Sequence, residues 1–377
     1  MKQKVRFIFV DLLRGWALLI MFEVHIFNVT LLPSLKETGW FNFLNFINGL
    51  VAPAFLFISG FAFMLSTQGR IEDLRKFDYK FWKKLGRIVL IFLAGYSLHL
   101  PVLSLRRLMN FYSPDVVNSF YNVDILQCIG FGLLFLFFIR LIIKSNKIFN
   151  YTIIISLLAI IFLSPLVWKI DFAKFMILPL ADYFNAQHGS FFPLFPWLGF
   201  LLAGALACKY YLDSRNADKE KTYINRLIII GFILAAAGHF FLSELFHISF
   251  RSIRPHPLFF LQRLGYIFML LGACWHYAEW RQTKTSFVLD VGRESLLVYW
   301  LHLQIIYRRF WNDQSFASIF GSTFNFIEAV IATFVLVFIM IAVAKYWGKF
   351  KRKNKKTASG LTLAIVSLTI IIFLIGF

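Results

Sequence analysis

Charge is scarce in this chain, and negative charge scarcer still. Only 15% of its 377 residues are Asp, Glu, Lys or Arg, and the 39 Lys+Arg face just 19 Asp+Glu. A soluble domain carries about a quarter charged residues. With 59% hydrophobic residues, the apolar excess cannot be hidden in one core, and a soluble enzyme is excluded. Cysteine is nearly absent. Cys128, Cys208 and Cys274 all sit inside apolar runs, which excludes a disulfide-stapled fold. The eight histidines are dispersed, with no H-E-x-x-H and no paired cysteines, so no metal site is expected. A Walker loop, a GxGxxG in strand–helix context and a serine nucleophile elbow are missing too. The basic surplus does not call for nucleic acid, because cytoplasmic loops of membrane proteins carry such a surplus.

What the sequence has in abundance is long apolar runs. A helix crossing a bilayer needs about 20 mostly apolar residues. Eleven runs meet this: 8–32, 44–66, 86–104, 123–143, 148–168, 191–211, 224–246, 258–279, 286–307, 324–347 and 360–377. The third, with His99 and Pro101, and the ninth, with Arg293 and Glu294, are the least apolar. Residues 172–181 are too short to span and read as an interfacial or re-entrant piece. Alternate loops then fall on opposite sides. One set, including the N-terminus, carries 27 Lys+Arg and the other nine, with Arg14, Arg263 and Arg293 inside runs. That bias predicts an all-α polytopic protein of about eleven transmembrane helices, N-terminus cytoplasmic and C-terminus outside. The first run lacks a small-residue cleavage site and holds Asp11, Arg14, Glu23 and His25, so it reads as a retained span. The expected division is a ten-helix domain over 1–350, followed by a basic linker and final helix over 351–377.

Ionisable groups inside a span are costly and are functional candidates by default. The stretch Asp11–Asn28 is the richest. Eleven positions separate Arg14 from His25, so they lie about 20° apart around a helix and about 16 Å apart along it. Asp11 and Asn28 join the same face, and Glu23 points away. Gly15 beside Arg14 allows a backbone or ligand to approach closely. The ninth run places Ser295, Tyr299 and His302 at i, i+4 and i+7, on one face. Its His302 falls level with His25, and adjacent Arg293 and Glu294 read as a local ion pair. Gln127 and Gln262–Arg263 lie in two similar pieces, LQCIG and LQRLG. Arg263 needs a counter-charge, for which Glu23 or Glu328 could serve. The small-residue segments 51–63, with Ser59-Gly60, and 192–204 read as close helix packing.

Five segments in order also carry a resemblance: DLLRGWALLIM (11–21), PAFLFISGF (53–61), DILQCIG (124–130), FPWLGFLLAG (195–204) and GRESLLVYWLH (292–302). In these the chain resembles the transmembrane acyltransferases related to heparan-α-glucosaminide N-acetyltransferase, in its bacterial branch. Arg14 and His25 also fit the Arg-x10-His pattern of the wider superfamily. The resemblance implies eleven spans in a bacterial cytoplasmic (inner) membrane. It further implies acetyl-CoA as cytoplasmic co-substrate without metal, and a glycan or lipid-linked sugar acceptor on the other side. A homodimer is left open. Two departures stand out. The family has Asn where this chain has His25, and its catalytic histidine precedes a loop tryptophan, whereas Trp40 here has no histidine near it. Glu294 likewise replaces an Asn. The role of catalytic base or acyl carrier therefore passes to His25, with Asn28, Tyr299 or His302 for the oxyanion. Asp11, Arg14, Lys84 and Arg87 are the expected CoA-phosphate contacts. Ser295, Tyr299, Gln127 and Arg263 are the expected acceptor contacts. The competing expectation is a proton-coupled transporter or flippase for an anionic or lipid-linked sugar, using Arg14 and His25 for coupling.

Overall fold

The structure is a computed structural model that describes residues 7–67, 71–100, 102, 104–111, 113–243, 253–282, 285–309 and 314–375. Pro101, Arg251 and the ends of the seventh and last apolar runs (244–246 and 376–377) lie outside them. The fold is all-helical, with 82% helix and no strand among the described residues. The main helices are α1 (Ile8–Thr30), α2 (Gly39–Asn48), α3 (Val51–Thr67), α4 (Tyr79–His99), α5 (Ile125–Ile142) and α6 (Asn146–Val167). They continue with α7 (Leu194–Asn216), α8 (Glu220–Ser243), α9 (Pro257–Arg281), α10 (Phe287–Arg293), α11 (Ser295–Tyr307), α12 (Phe326–Lys353) and α13 (Lys355–Ile375). Among the described residues eight spans are long and apolar enough to cross a membrane, counting α2 and α3 as one. The other three expected runs also become helical, as α1, α4 and the pair α10–α11, each more charged or shorter than the eight.

The chain forms two compact units: residues 1–51, 100–117 and 280–377, and residues 52–99 and 118–279. In the first, α1 is the central element, packed by α10, α11 and α12. Its approach to α10 depends on two glycines. A Cβ on Gly15 would collide with the carbonyl of Val288, and one on Gly292 with the carbonyl of Asp11. The end of α1 is strapped by an extended segment. Val29 and Thr30 accept from the backbone N–H of Ser322 (2.8 Å) and Phe324 (2.7 Å), and Leu32 donates to Phe324 (3.0 Å). Carbonyls that a helix end leaves open are thereby satisfied. On the outside, only 17% of the most apolar window of α12 and 6% of that of α13 is buried, so both present their apolar surface to lipid.

Two boundaries differ from expectation. The run 286–307 is broken at Glu294, whose φ −104°, ψ 29° separates α10 from α11. The basic linker expected from 351 is helix instead: α12 extends through Lys353 and turns at Asn354 into α13. Lysines and arginines are good helix formers, and positive charge suits a helix C-terminus.

In the second unit α7 is the core element, with 78% of its window buried. The two small-residue segments noted in the sequence are partners. A Cβ on Gly60 of α3 would strike the carbonyl of Leu201, and one on Gly204 of α7 that of Phe57. A similar seam joins α8 to α9, where Cβ atoms on Gly231 and Gly265 would meet each other's carbonyl oxygens at 2.7 and 2.5 Å. Residues 172–181 make only a 3-10 turn and a short helix.

Candidate active site

Because α1 runs unbroken from Ile8 to Thr30, the sequence stripe keeps its geometry. At its first turn Asp11 is buried, with 5% of its surface exposed. It is flanked by Arg14 at 3.7 Å and Arg293 at 3.9 Å. Arg293 also approaches Asp290 at 3.9 Å. Glu294, the next residue, turns away to Lys351, with Nζ to Oε2 at 2.5 Å. The local Arg293–Glu294 pair expected from the sequence is therefore replaced by two separate pairings. Consecutive helical side chains point about 100° apart and do not face each other, so each takes a partner from a different helix, and the helix breaks between them.

Four turns of α1 further on, His25 and His302 stand side by side, ring centroids 5.3 Å apart. Nδ1 of His25 is 3.0 Å from the Tyr307 hydroxyl. His302 is fully buried between Phe22 (5.0 Å) and Tyr299 (5.5 Å). Its Nδ1 lies 3.0 Å from the Val298 carbonyl oxygen. A carbonyl only accepts, so this nitrogen carries the hydrogen and Nε2 is left as an acceptor. That Nε2 has no partner within the protein. The arrangement is one neutral, tautomer-fixed imidazole behind a half-buried one. The outer ring is reachable and oriented by a phenol.

The remaining expected site residues divide as follows. In the first unit, Asn28 is exposed one turn beyond His25, and its backbone carbonyl accepts from Lys36 (2.7 Å). Ser295 opens α11, one turn before Tyr299. Glu23 faces Asn48. In the second unit, Lys84 donates to Ser66 Oγ (2.5 Å) and lies over the Phe63 ring, and Arg87 is exposed. Gln127 is fully buried, and Arg263 is 4% exposed with its guanidinium 5.4 Å from the Phe259 ring centroid. Glu328 closes the N-terminus of α12 in a capping box with Asn325, which accounts for that carboxylate. Tyr307 went unnoticed in the sequence. It lies 282 positions from His25, and nothing local marks it beyond its place five residues after His302.

Comparison with known families finds a match over more than half of the chain. The family model described as heparan-alpha-glucosaminide N-acetyltransferase, catalytic, matches residues 6–247. No curated protein matches the chain.

Proposed function

Since the chain belongs to the heparan-alpha-glucosaminide N-acetyltransferase catalytic family, a family of membrane acetyltransferases, we propose that it moves an acetyl group from cytoplasmic acetyl-CoA to an amino group on an extracytoplasmic sugar. The reading carries with it eleven spans and a cytoplasmic N-terminus, supported by the loop-charge bias, and, from the resemblance, a bacterial inner membrane. The observation that carries it is the imidazole pair, with centroids 5.3 Å apart, whose His25 shares a face of α1 with Arg14 and Asp11.

In this mechanism Arg14 holds a CoA phosphate at the first turn of α1, its guanidinium kept in place by Asp11. The pantetheine arm runs along the stripe, which spans about 16 Å. The sugar amine attacks the thioester carbonyl, so that a C–N bond forms and the C–S bond breaks. His25, oriented by Tyr307, takes the proton from the attacking amine and returns it to the departing CoA thiolate. His302 stays neutral behind it, and its free Nε2 accepts a hydrogen bond from the substrate or from His25. Asn28 and Tyr299 are the donors for the developing oxyanion.

The test is acetyl-CoA binding, and acetyl transfer to D-glucosamine, by the purified protein in detergent. Arg14→Ala is expected to weaken acetyl-CoA binding about tenfold or more, the effect of one lost charged contact of about 1.4 kcal/mol. His25→Ala is expected to keep acetyl-CoA binding and lose at least about 100-fold in turnover. A wild-type protein without affinity for acetyl-CoA overturns the proposal.

A further inference from the structure

We infer that the second unit holds a binding site for a sugar ring, formed by Asp182, Gln127, Tyr96 and Tyr183 where the C-terminal end of α4, the N-terminal end of α5 and the loop 182–193 converge. The inference rests on the reading above that the acceptor is a sugar.

Two side chains there are sealed from solvent yet have nothing to bond. Gln127 is 0% exposed and Asp182 1%. Neither amide atom of Gln127 and neither carboxyl oxygen of Asp182 has a hydrogen-bond partner within the protein. Buried polar groups are ordinarily satisfied, and an unpartnered amide or carboxylate is among the costlier things a fold can keep. Two of them, on separate elements at one end of the unit, call for a polar partner from outside the chain.

Their neighbours complete the chemistry. Gln127 lies so close to Gly95 that a Cβ there would come within 2.9 Å of its Oε1. The next residue, Tyr96, shares a 2.9 Å hydrogen bond with Tyr183, and Tyr183 follows Asp182 in the chain. The Asp182 carboxylate is electrostatically coupled to both Tyr96 and His188. An aromatic ring packs beside each phenol: Phe120 is 5.4 Å from Tyr96, and Phe131 is 5.5 Å from Tyr183.

The loop is also held in place in advance. Ser190 Oγ accepts from the Val123 N–H (2.9 Å), and the Val123 carbonyl accepts from Phe191 and Phe192 (3.0 Å each). Asn185 Nδ2 donates to the carbonyls of Val167 (3.0 Å) and Ile170 (2.7 Å).

A carboxylate that accepts two hydroxyl hydrogens, an amide that both donates and accepts, two phenols and flat aromatic faces form the donor set of a pyranose. An acyl chain would leave the carboxylate and amide unsatisfied, and a phosphate would be repelled by Asp182. On a hexosamine, the ammonium group pairs with Asp182.

The experiment is thermal unfolding of the full chain in detergent with rising D-glucosamine, against D-glucose and a matched ammonium salt. A ligand that binds only the folded protein raises the midpoint in proportion to the logarithm of its concentration. The expected result is a shift with D-glucosamine in the wild type, weakened at least tenfold in apparent affinity in Asp182→Asn and in Gln127→Leu. Tyr183→Phe, which keeps the ring and loses only the hydroxyl, carries the comparison if either variant fails to fold. No shift in the wild type, or equal shifts in all variants, overturns the site. The readout needs no acetyl-CoA. A protein that turns over acetyl-CoA without a sugar shift loses this site and keeps the acetyl-transfer reading. One that shows the shift but never engages acetyl-CoA loses the acetyl-transfer reading and keeps the site.

Discussion

Asp182 makes a pH signature that can be worked through in numbers. Burial raises its carboxyl from the ordinary value of 3.8 to about 6. The neighbouring His188 imidazole, itself 2.9 Å from Asp171, opposes the rise, and the Tyr96 phenol is also coupled to it. The folded state thus holds the proton more tightly than the unfolded chain does. Stability contributed by this group is complete below pH 3.8, falls as pH rises through the interval to about 6, and is constant above it. Two units correspond to about 3 kcal/mol. Asp182→Asn carries no charge at any pH, and should match the protonated wild type in acid. Its advantage over wild type should therefore grow from near zero at pH 4 to about 2–3 kcal/mol at pH 8. Unfolding midpoints of both proteins, measured at half-unit intervals across that range, provide the check. Parallel curves, with a constant gap from pH 4 to pH 8, would refute the claim that burial raises this carboxyl.

Two further outcomes follow from the packing and from the imidazole pair. Gly60→Leu and Gly204→Leu should each cost about 3 kcal/mol or more, because the new side chain meets backbone that cannot rotate away. Gly86→Ala, where a Cβ meets nothing within 4 Å, should instead gain up to about 1 kcal/mol; denaturation monitored by size-exclusion chromatography separates the two. Tyr307→Phe removes the hydroxyl at His25 Nδ1 and should lower turnover about five- to tenfold, the value of one hydrogen bond, with the KM for acetyl-CoA unchanged in steady-state assays.

The parts of this molecule legible in the sequence are those with a local period. The alignment of Asp11, Arg14, His25 and Asn28 needs only the helical repeat, and α1 delivers it. Among the described residues each of the eleven apolar runs contains helix, because each has enough apolar length to hold one. The glycine segments were readable as close packing, but that Gly60 meets Leu201 while Gly204 meets Phe57 depends on chain reversals no local rule encodes. The break at Glu294 was hidden for a related reason. No proline marks it, and it arises from partners on α1 and α12 that draw two adjacent charges apart. Tyr307 and Asp182 were missed on the same ground, since neither residue type is conspicuous until the chain brings its neighbours into place.

The strap that pairs 322–324 with the end of α1 has a consequence for how a substrate enters. Terminal helical turns ordinarily fray, and their amide hydrogens exchange within the fastest class in a protein. Here the amides of Ser322 and Phe324 are tied to the carbonyls of Val29 and Thr30, so the turn following His25 is clamped and its amides should exchange slowly. His25 thus cannot be uncovered by unwinding its own helix. On the acetyl-transfer reading, an acceptor therefore reaches the half-exposed imidazole without any opening of the α1 backbone.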